Sequence, residues 1–231
     1  MARDTLDQSQ IVTAAIDLLD RKGLTGLSMR RLGQGLGVSA PTLYWHVQDK
    51  DNLIELASDR VWRSIPLLDP AVVGWRQAAT DLGMHTYHLG VAHHWLISAT
   101  ISAYAYGTGM ARYQDHSYAI FETAGFSDAQ LDWAVNTLFN FVLGAMYQDS
   151  ARAAALAATP DTDKNRLLSV SEKAAKIMAD FPRLQARAHA QAAPDAQVPP
   201  STDPVVFGLA AVLDGLAAAL KQDVQTSLRT V

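Results

Sequence analysis

Apolar residues recur along most of the chain at the three- and four-residue spacing that is typical of amphipathic helices. The first run contains Ile11, Ala14, Ala15, Leu18 and Leu19. Gly23 follows this run and is predicted to end its helix. Ser28, Ser39 and Asp49 each precede another apolar run, and their side chains are preferred N-caps. Four helices are therefore predicted before Pro66.

The pattern beyond Pro70 predicts longer helices. Their predicted ranges are 74–92, 95–106, 110–124, 128–150, 165–180 and 204–222. No segment alternates apolar and polar residues with the period of two that a strand requires. The proline-rich run from Gln185 to Pro204 predicts a flexible loop. The fold class expected from this pattern is all-α.

The second and third predicted helices form a helix-turn-helix, RRLGQGLGVSAPTLYWHV, over residues 30–47. Gly33 is small where the two helices cross, and Gly37 can adopt the left-handed conformation of the turn. The residues predicted to face the core are Leu32, Leu36, Val38, Leu43 and Val47. The residues predicted to face outward are Arg30, Arg31, Ser39, Ala40, Thr42, Tyr44, Trp45 and His46.

Charge distinguishes this unit from the rest of the chain. The 231 residues have a formal net charge of -4, yet residues 21–48 contain Arg21, Lys22, Arg30 and Arg31 and no acidic residue. A basic surface on a small unit is the electrostatic pattern of phosphate binding. The chain has no cysteine, which excludes disulfides, thiolate metal sites and a cysteine nucleophile.

A basic helix-turn-helix also occurs in all-α proteins that do not bind DNA, so its charge alone does not establish DNA binding. The amino-acid sequence of the motif distinguishes the two cases. Residues 27–50, LSMRRLGQGLGVSAPTLYWHVQDK, resemble the signature of the tetracycline-repressor (TetR) family. Within it, PTLYWHV at residues 41–47 is similar to the tetracycline-repressor class. The resemblance covers about residues 8–65 and is weaker beyond residue 70. It implies a DNA-binding domain at 1–50, a linking helix at 50–66, and a helical ligand-binding and dimerisation domain at 67–231.

The resemblance also implies roles for individual residues. Arg30 matches an arginine that reads a guanine edge, and Lys50 would neutralise a phosphate. The full set expected to face DNA is Arg30, Arg31, Ser39, Ala40, Pro41, Thr42, Tyr44, Trp45, His46 and Lys50. Ala40 and Met29 differ from the base-reading residues of the tetracycline class. We therefore expect a different operator sequence.

The two helices predicted near 128–150 and 204–222 carry more apolar surface than one subunit requires. The last helix has one stripe of large apolar residues, Leu209, Val212, Leu213, Leu216 and Leu220. A second face carries the small residues Gly208, Ala211, Gly215 and Ala218. In the family these two regions form an intersubunit four-helix bundle, so a homodimer is expected. A helix buried entirely within its own subunit is the alternative.

A ligand cavity is expected in and after the stretch 82–111, which has no Asp, Glu, Lys or Arg. Its candidate residues are His85, His88, Trp95, Tyr104, Met110, Tyr113, Asn136 and Asn140. The alternative for each aromatic residue is an ordinary position in the hydrophobic core. The alternative for Asn136 and Asn140 is an exposed or interface position. The composition indicates a small, largely uncharged, partly aromatic effector.

The magnesium–drug chelate of the tetracycline class is not expected here. Pro66, Asn140 and Gln148 stand where that class has its chelate-binding residues, and a hard cation would lack its carboxylate. No metal or other cofactor is predicted.

The remaining expectation is a ligand-responsive repressor that binds a pseudo-palindromic double-stranded operator and is released by its effector. It is predicted to be cytoplasmic, because the amino terminus has no signal peptide and the stretch 82–111 is interrupted by histidines, glycines and hydroxyl residues. One alternative is a metal- or small-molecule-binding protein or enzyme that uses the histidines at 85–94. Another is a helical scaffold whose head binds protein.

Overall fold

The computed structural model describes residues 6–101, 106–157, 172–192 and 203–229. These residues are mostly helical, and no strand occurs among them. The all-α fold class is confirmed, with a helix-turn-helix head and a helical C-terminal domain. The head and linking helix consist of α1 (Gln8–Gly26), α2 (Met29–Leu36), α3 (Ala40–Tyr44) and α4 (Lys50–Arg63).

Further helices follow the linking helix in the described part of the chain. They are α5 (Pro70–Val73), α6 (Trp75–Ala92), α7 (Trp95–Ile101), α8 (Thr108–Ala124), α9 (Asp128–Ala157), α10 (Pro182–Ala192) and α11 (Pro204–Arg229). Residues 172–178 are also helical.

Local side-chain chemistry explains where the head helices begin and end. The Ser28 hydroxyl accepts from the Arg31 amide at 3.2 Å, and the Asp49 carboxylate accepts from the Asn52 amide at 2.8 Å. Gly37 ends α2 with a φ of 70°, which is the left-handed conformation predicted for the turn. Ser39 is at the N-cap position of α3 but makes no capping bond, because its hydroxyl pairs with that of Thr42 at 2.8 Å.

The predicted loop over 185–204 is wrong for residues 185–192, which belong to α10. The sequence pattern was misleading because the segment is rich in alanine and poor in large apolar residues. Alanine contributes little to a core, but it has the highest intrinsic helix propensity. The same propensity accounts for the extension of α9 beyond residue 150, into an alanine-rich run.

Two compact units make up the chain. One contains Met1–Ala151 with Val205–Val231, and the other contains Arg152–Pro204. In the first unit a continuous hydrophobic core runs from the head into the larger helices. Trp62, Trp95 and Phe121 are its largest fully buried side chains. The head therefore shares its packing with the helices that follow it.

Pro204–Lys221 in α11 is the one segment of the described residues long and apolar enough to cross a membrane. Core helices pass the same test of length and composition. Leu209 and Leu213 are buried, and the Leu209 side chain lies against Gly83 of α6. The high apolar content of α11 arises because its other face is also apolar.

Two glycines of α2 provide a test of the helix crossing. A Cβ at Gly33 would lie 2.7 Å from the Val38 carbonyl oxygen, whereas a Cβ at Gly35 would have no atom within 4 Å. We expect Gly33→Ala to lower the free energy of unfolding by about 1–3 kcal/mol through overpacking. Gly35→Ala should raise it by about 0.5–1 kcal/mol, because alanine loses less backbone entropy on folding. Denaturant unfolding at one protein concentration measures both, and equal effects would contradict the predicted crossing.

Candidate nucleic-acid interface and buried core site

Helix α3 and the turn before it present a polar and aromatic surface to solvent. Arg30, Arg31, Ser39, Pro41, Tyr44 and Trp45 are exposed, and Ala40, Thr42, His46 and Lys50 are partly buried. Trp45 is 89% exposed, although tryptophan is usually among the more buried residue types. An indole held in this way contributes little to the core and is available to a partner.

The rest of the head holds this surface in place. Leu43 and Val47 are 0% and 1% exposed and anchor α3 to the core, as their spacing predicts. The Val38 amide donates to the Gly33 carbonyl at 2.9 Å, which closes the turn against α2. Met29, a position where this chain departs from the tetracycline class, is buried and cannot face a partner.

Two of the cations predicted to face DNA also bind the head's own backbone. The Lys50 ammonium donates to the Leu24 carbonyl at 3.1 Å, and the Arg31 guanidinium donates to the Gly26 carbonyl. Both acceptors lie between Gly23 and α2, where α1 departs from helical geometry at a φ of 63°. These two side chains therefore stabilise the head as well as carrying positive charge.

Arg30 differs from these two cations. It is exposed, and no hydrogen bond or ion pair among the described residues holds its guanidinium. A guanidinium with its donors directed to water can form the planar, bidentate pair that arginine makes with a guanine edge. Arg30 therefore differs from Lys50 and Arg31 in having its side-chain donors free of protein partners among the described residues.

Helix α4 connects the head to the larger helices. The Arg60 guanidinium donates to the Ser9 carbonyl and the Thr13 hydroxyl of α1, at 2.9 and 2.8 Å. Farther along the core, the Asp20 carboxylate of α1 accepts from the Trp95 indole at 2.7 Å and lies 2.8 Å from His93 Nδ1. The head is therefore attached both through α4 and through the junction of α6 and α7.

A buried aromatic and hydroxyl cluster, here called the α4–α8 cluster, lies behind the head. Its buried members are Ser58 and Trp62 of α4, Thr86 of α6, and Tyr113 and Ser117 of α8. The partly buried ring of Phe139 on α9 packs against Tyr113 at the edge of the cluster. The ring centroid of Tyr113 lies 5.1 Å from that of Trp62 and 6.1 Å from that of Phe139. Burial raises the pKa of Tyr113 to about 12, despite side-chain hydrogen bonds to Thr86 and Ser117 that oppose the shift. Tyr113 is consequently neutral at physiological pH.

Two polar atoms of the α4–α8 cluster have no hydrogen-bond partner. These atoms are Ser58 Oγ and Trp62 Nε1, which are four residues apart on α4. A buried polar group without a partner costs about 1–3 kcal/mol, so such groups usually indicate a functional role or a missing partner. Sequence reasoning missed both residues. Their signal was a serine at helical spacing from a tryptophan on the apolar face of α4.

The structure gathers some of the predicted ligand residues and separates others. Met110 and Tyr113 are buried on α8, one turn apart. Trp95 is buried too, but its indole N–H is engaged by Asp20. Tyr104 lies outside the described residues.

The two predicted asparagines lie on the exposed face of α9, away from the buried aromatic residues. Asn136 donates to the Asp132 carbonyl of its own helix, and Asn140 is also exposed. The interpretation of these amides as pocket groups came from their helical spacing, which cannot tell an interior face from an interface. Their positions match the alternative of an exposed or interface face.

The histidines at 85–94 do not form a metal site with other described residues. Among these residues no group of three or more His, Asp or Glu side chains could hold a metal ion. His85 and His88 are exposed, and the His85 Nδ1 lies 2.7 Å from the Asp81 carbonyl oxygen. His93 pairs with Asp20.

The surplus apolar surface predicted for the last helices is present. In α11 Leu209 and Leu213 are buried, whereas Ala211, Gly215 and Ala218 are exposed. Phe207 of α11 and Trp133 of α9 are each 66% exposed. Each of these two helices therefore has one face in the core and an apolar face in solvent.

Known proteins are similar to this chain over both parts of its fold. A family model described as "Bacterial regulatory proteins, tetR family" matches residues 11–57. Another, described as "Tetracyclin repressor-like, C-terminal domain", matches residues 69–220. An HTH-type transcriptional regulator of Saccharopolyspora erythraea is 32% identical over 145 residues, which are 63% of this chain and 61% of that regulator.

A second relative and a solved structure extend the likeness over most of the chain. The HTH-type transcriptional repressor DrrR1 of Streptomyces coeruleorubidus is 29% identical over 225 residues, covering 95% of this chain and 80% of the repressor. The TetR family protein ActR of Streptomyces coelicolor, solved in complex with actinorhodin, has a TM-score of 0.68 at 23% identity. That comparison covers 94% of this chain and 98% of ActR, and it is a likeness of fold.

Proposed function

The chain belongs to the tetracycline-repressor family of transcriptional regulators, and we propose that it is a homodimeric repressor released from its operator by a small effector. The DNA-binding half of this proposal depends chiefly on one observation. The surface of α2 and α3 is basic and aromatic and carries an 89% exposed Trp45 that the head's own packing does not require. Arg30, Tyr44 and Trp45 are the residues proposed to contact DNA directly.

Lys50 and Arg31 contribute positive charge from positions that are tied to the backbone. Fixed cations of this kind suit phosphate contacts, which orient a head without reading sequence. The base-reading role is left to Arg30 and to the exposed face of α3.

Dimerisation is supported by the apolar solvent-facing sides of α9 and α11. Small residues on α11 allow close approach of a second helix, and Trp133 and Phe207 supply large apolar area beside them. Two heads on a symmetric dimer enter successive major grooves when they are about 34–36 Å apart. The operator is therefore proposed to be a pseudo-palindrome.

The effector is proposed to bind at the α4–α8 cluster, which includes Tyr113, and to contact Met110 one turn away on α8. The supporting observation is the pair of unsatisfied atoms, Ser58 Oγ and Trp62 Nε1, on the linking helix. An oxygen acceptor on a neutral, partly aromatic molecule would satisfy the indole N–H and stack within the aromatic walls. The similar protein DrrR1 is a transcriptional repressor, and the structurally similar ActR was solved in complex with actinorhodin. A helical metal-binding protein or enzyme based on the histidines is not favoured by their separate contacts.

The DNA-binding proposal is tested by selecting bound duplexes from a random pool and then changing Arg30. Arg30→Ala should relax the preference at one base pair in each half-site, at about 1–3 kcal/mol per contact. Arg183→Ala, an exposed arginine on α10, is the matched control and should leave preference and affinity unchanged. Unchanged base preference in Arg30→Ala would reject the proposed base contact.

A charge on the exposed face of α11 tests the dimer. A Cβ at Gly215 would meet no atom within 4 Å in the protomer, so Gly215→Glu should fold normally. Its carboxylate would be buried without a partner in the proposed interface, which is strongly unfavourable. Analytical ultracentrifugation should show monomers for Gly215→Glu and dimers for the control Thr123→Glu on exposed α8 surface. Dimers in both variants would place the interface elsewhere.

If the effector binds at the α4–α8 cluster, Ser58→Ala should make the protein more stable and also less responsive to the effector. Ser58→Ala removes a buried hydroxyl that has no partner, so stability should rise by up to about 1 kcal/mol. Ser117→Ala removes a hydroxyl that donates to the Tyr113 carbonyl, so stability should fall by about 1 kcal/mol.

A compound library screened for release of the selected operator identifies an effector for the second measurement. The Ser58→Ala variant should then need about twofold to tenfold more effector for half-release, as expected for one lost neutral hydrogen bond. If both Ser58→Ala and Trp62→Phe need the same effector concentration for half-release as the unaltered protein, the effector binds away from α4.

A further inference from the structure

The first turn of α8 obtains its cap from another helix. Its N-cap residue is Gly107, which has no side chain, and no side-chain capping bond comes from that position. The Gly109 amide instead donates to the Asp59 carboxylate of α4. An acidic group near a helix N-terminus is favoured both by the unpaired amides and by the helix dipole.

The last turn of α4 is capped in the reverse direction by α8. The Arg112 guanidinium donates to the Arg63 and Ile65 carbonyls, at 3.3 and 3.2 Å. A cation near a helix C-terminus is favoured for the same two reasons. Each of the two helices therefore supplies the charge that complements an end of the other.

These contacts occur where the helices approach very closely. A Cβ at Gly109 would lie 2.5 Å from the Asp59 backbone oxygen and 3.0 Å from Trp62 Cβ. A Cβ at Gly107 would lie 2.6 Å from the Asp59 side chain. Glycine at both positions allows α8 to begin directly against α4, which leaves little room for one helix to slide along the other.

We infer that Asp59 and Arg112 are positioning residues that couple α8 to the linking helix and so set the placement of the heads. This pair of reciprocal caps is here called the α4–α8 clamp. The inference rests on the proposed function, and it adds a route by which the effector site acts on the heads. Met110 and Tyr113 lie on α8 beside Gly109 and Arg112. A displacement of α8 by an effector is transmitted to α4 at two fixed points.

Four variants separate the clamp from ordinary surface charge. Asp59→Ala removes the cap of α8, and Arg112→Ala removes the cap of α4. Asp59→Asn keeps an oxygen acceptor for the Gly109 amide and should restore part of the loss. Arg63→Gln is the matched control, because it removes the 2.7 Å ion pair with Asp59 and keeps the Arg63 carbonyl and both caps.

Hydrogen exchange and operator affinity are measured on the full-length protein. Asp59→Ala should speed exchange in the first turn of α8 by about threefold to thirtyfold, the usual range for loss of a cap. Asp59→Ala and Arg112→Ala should each weaken binding to the selected operator by at least threefold and leave binding to random-sequence duplex unchanged. Arg63→Gln should match the unaltered protein in both measurements.

The outcomes distinguish this inference from the proposed function. Unchanged exchange in Asp59→Ala, or faster exchange with unchanged operator affinity, would overturn the clamp as a positioning device. An effect of the same size in Arg63→Gln would also overturn it, since the surface ion pair would then be responsible. If Asp59→Ala fails to fold, Asp59→Asn and Arg112→Ala carry the same test. Failure of the unaltered protein to select any duplex would defeat the proposed function and the clamp with it.

Discussion

The structure depends on α4 being held on two sides at once. Toward the head, Arg60 of α4 donates to Ser9 and Thr13 of α1. Toward the larger helices, Asp59 of the preceding position accepts from Gly109 of α8. Adjacent residues on one helix thus bind two different parts of the first compact unit. Any change in the tilt of α4 must strain one set of contacts or carry both parts with it.

This arrangement explains why unsatisfied polar groups on α4 are of interest. Ser58 and Trp62 are buried on the same helix that carries the contacts to head and core. If the Ser58 hydroxyl had no function, alanine at this position would give a more stable folded state, because no buried polar group would be left without a partner. Their position on a helix that contacts both the head and the larger helices makes them suited to transmit the binding of a molecule to the heads.

The sequence predicted what local chemistry determines. Ser28, Asp49 and Gly37 end or begin helices through bonds and backbone angles that involve residues within four positions, and all three behave as expected. The inward spacing of Leu43 and Val47 is likewise a local property of α3. The motif letters at 27–50 added the family, which periodicity alone could not provide.

The features that the sequence did not predict depend on distant contacts. Helical spacing placed Asn136 and Asn140 together on one side of α9 but could not say which side faces the core. Composition marked Trp95 as a ligand residue, whereas its N–H is taken by Asp20, 75 positions away. The caps of the α4–α8 clamp join residues about 50 positions apart, so no local pattern marks them. Helix α10 is a different case. Its alanines favour a helix by intrinsic propensity, but the segment lacks the large apolar residues from which helical periodicity is recognised.

The sizes of these interactions are compatible with a regulated joint. A single helix cap contributes about 0.5–2 kcal/mol, and allosteric coupling between two ligands is typically about 1–3 kcal/mol. Contacts much stronger than these would hold α4 rigidly against any small effector, while contacts much weaker would let α8 move without moving the heads. Reciprocity then requires that an effector weakening operator binding through this joint is itself bound more weakly when the operator is present. Two modest caps, rather than one strong ion pair, thus provide a connection that a molecule making only a few hydrogen bonds can shift.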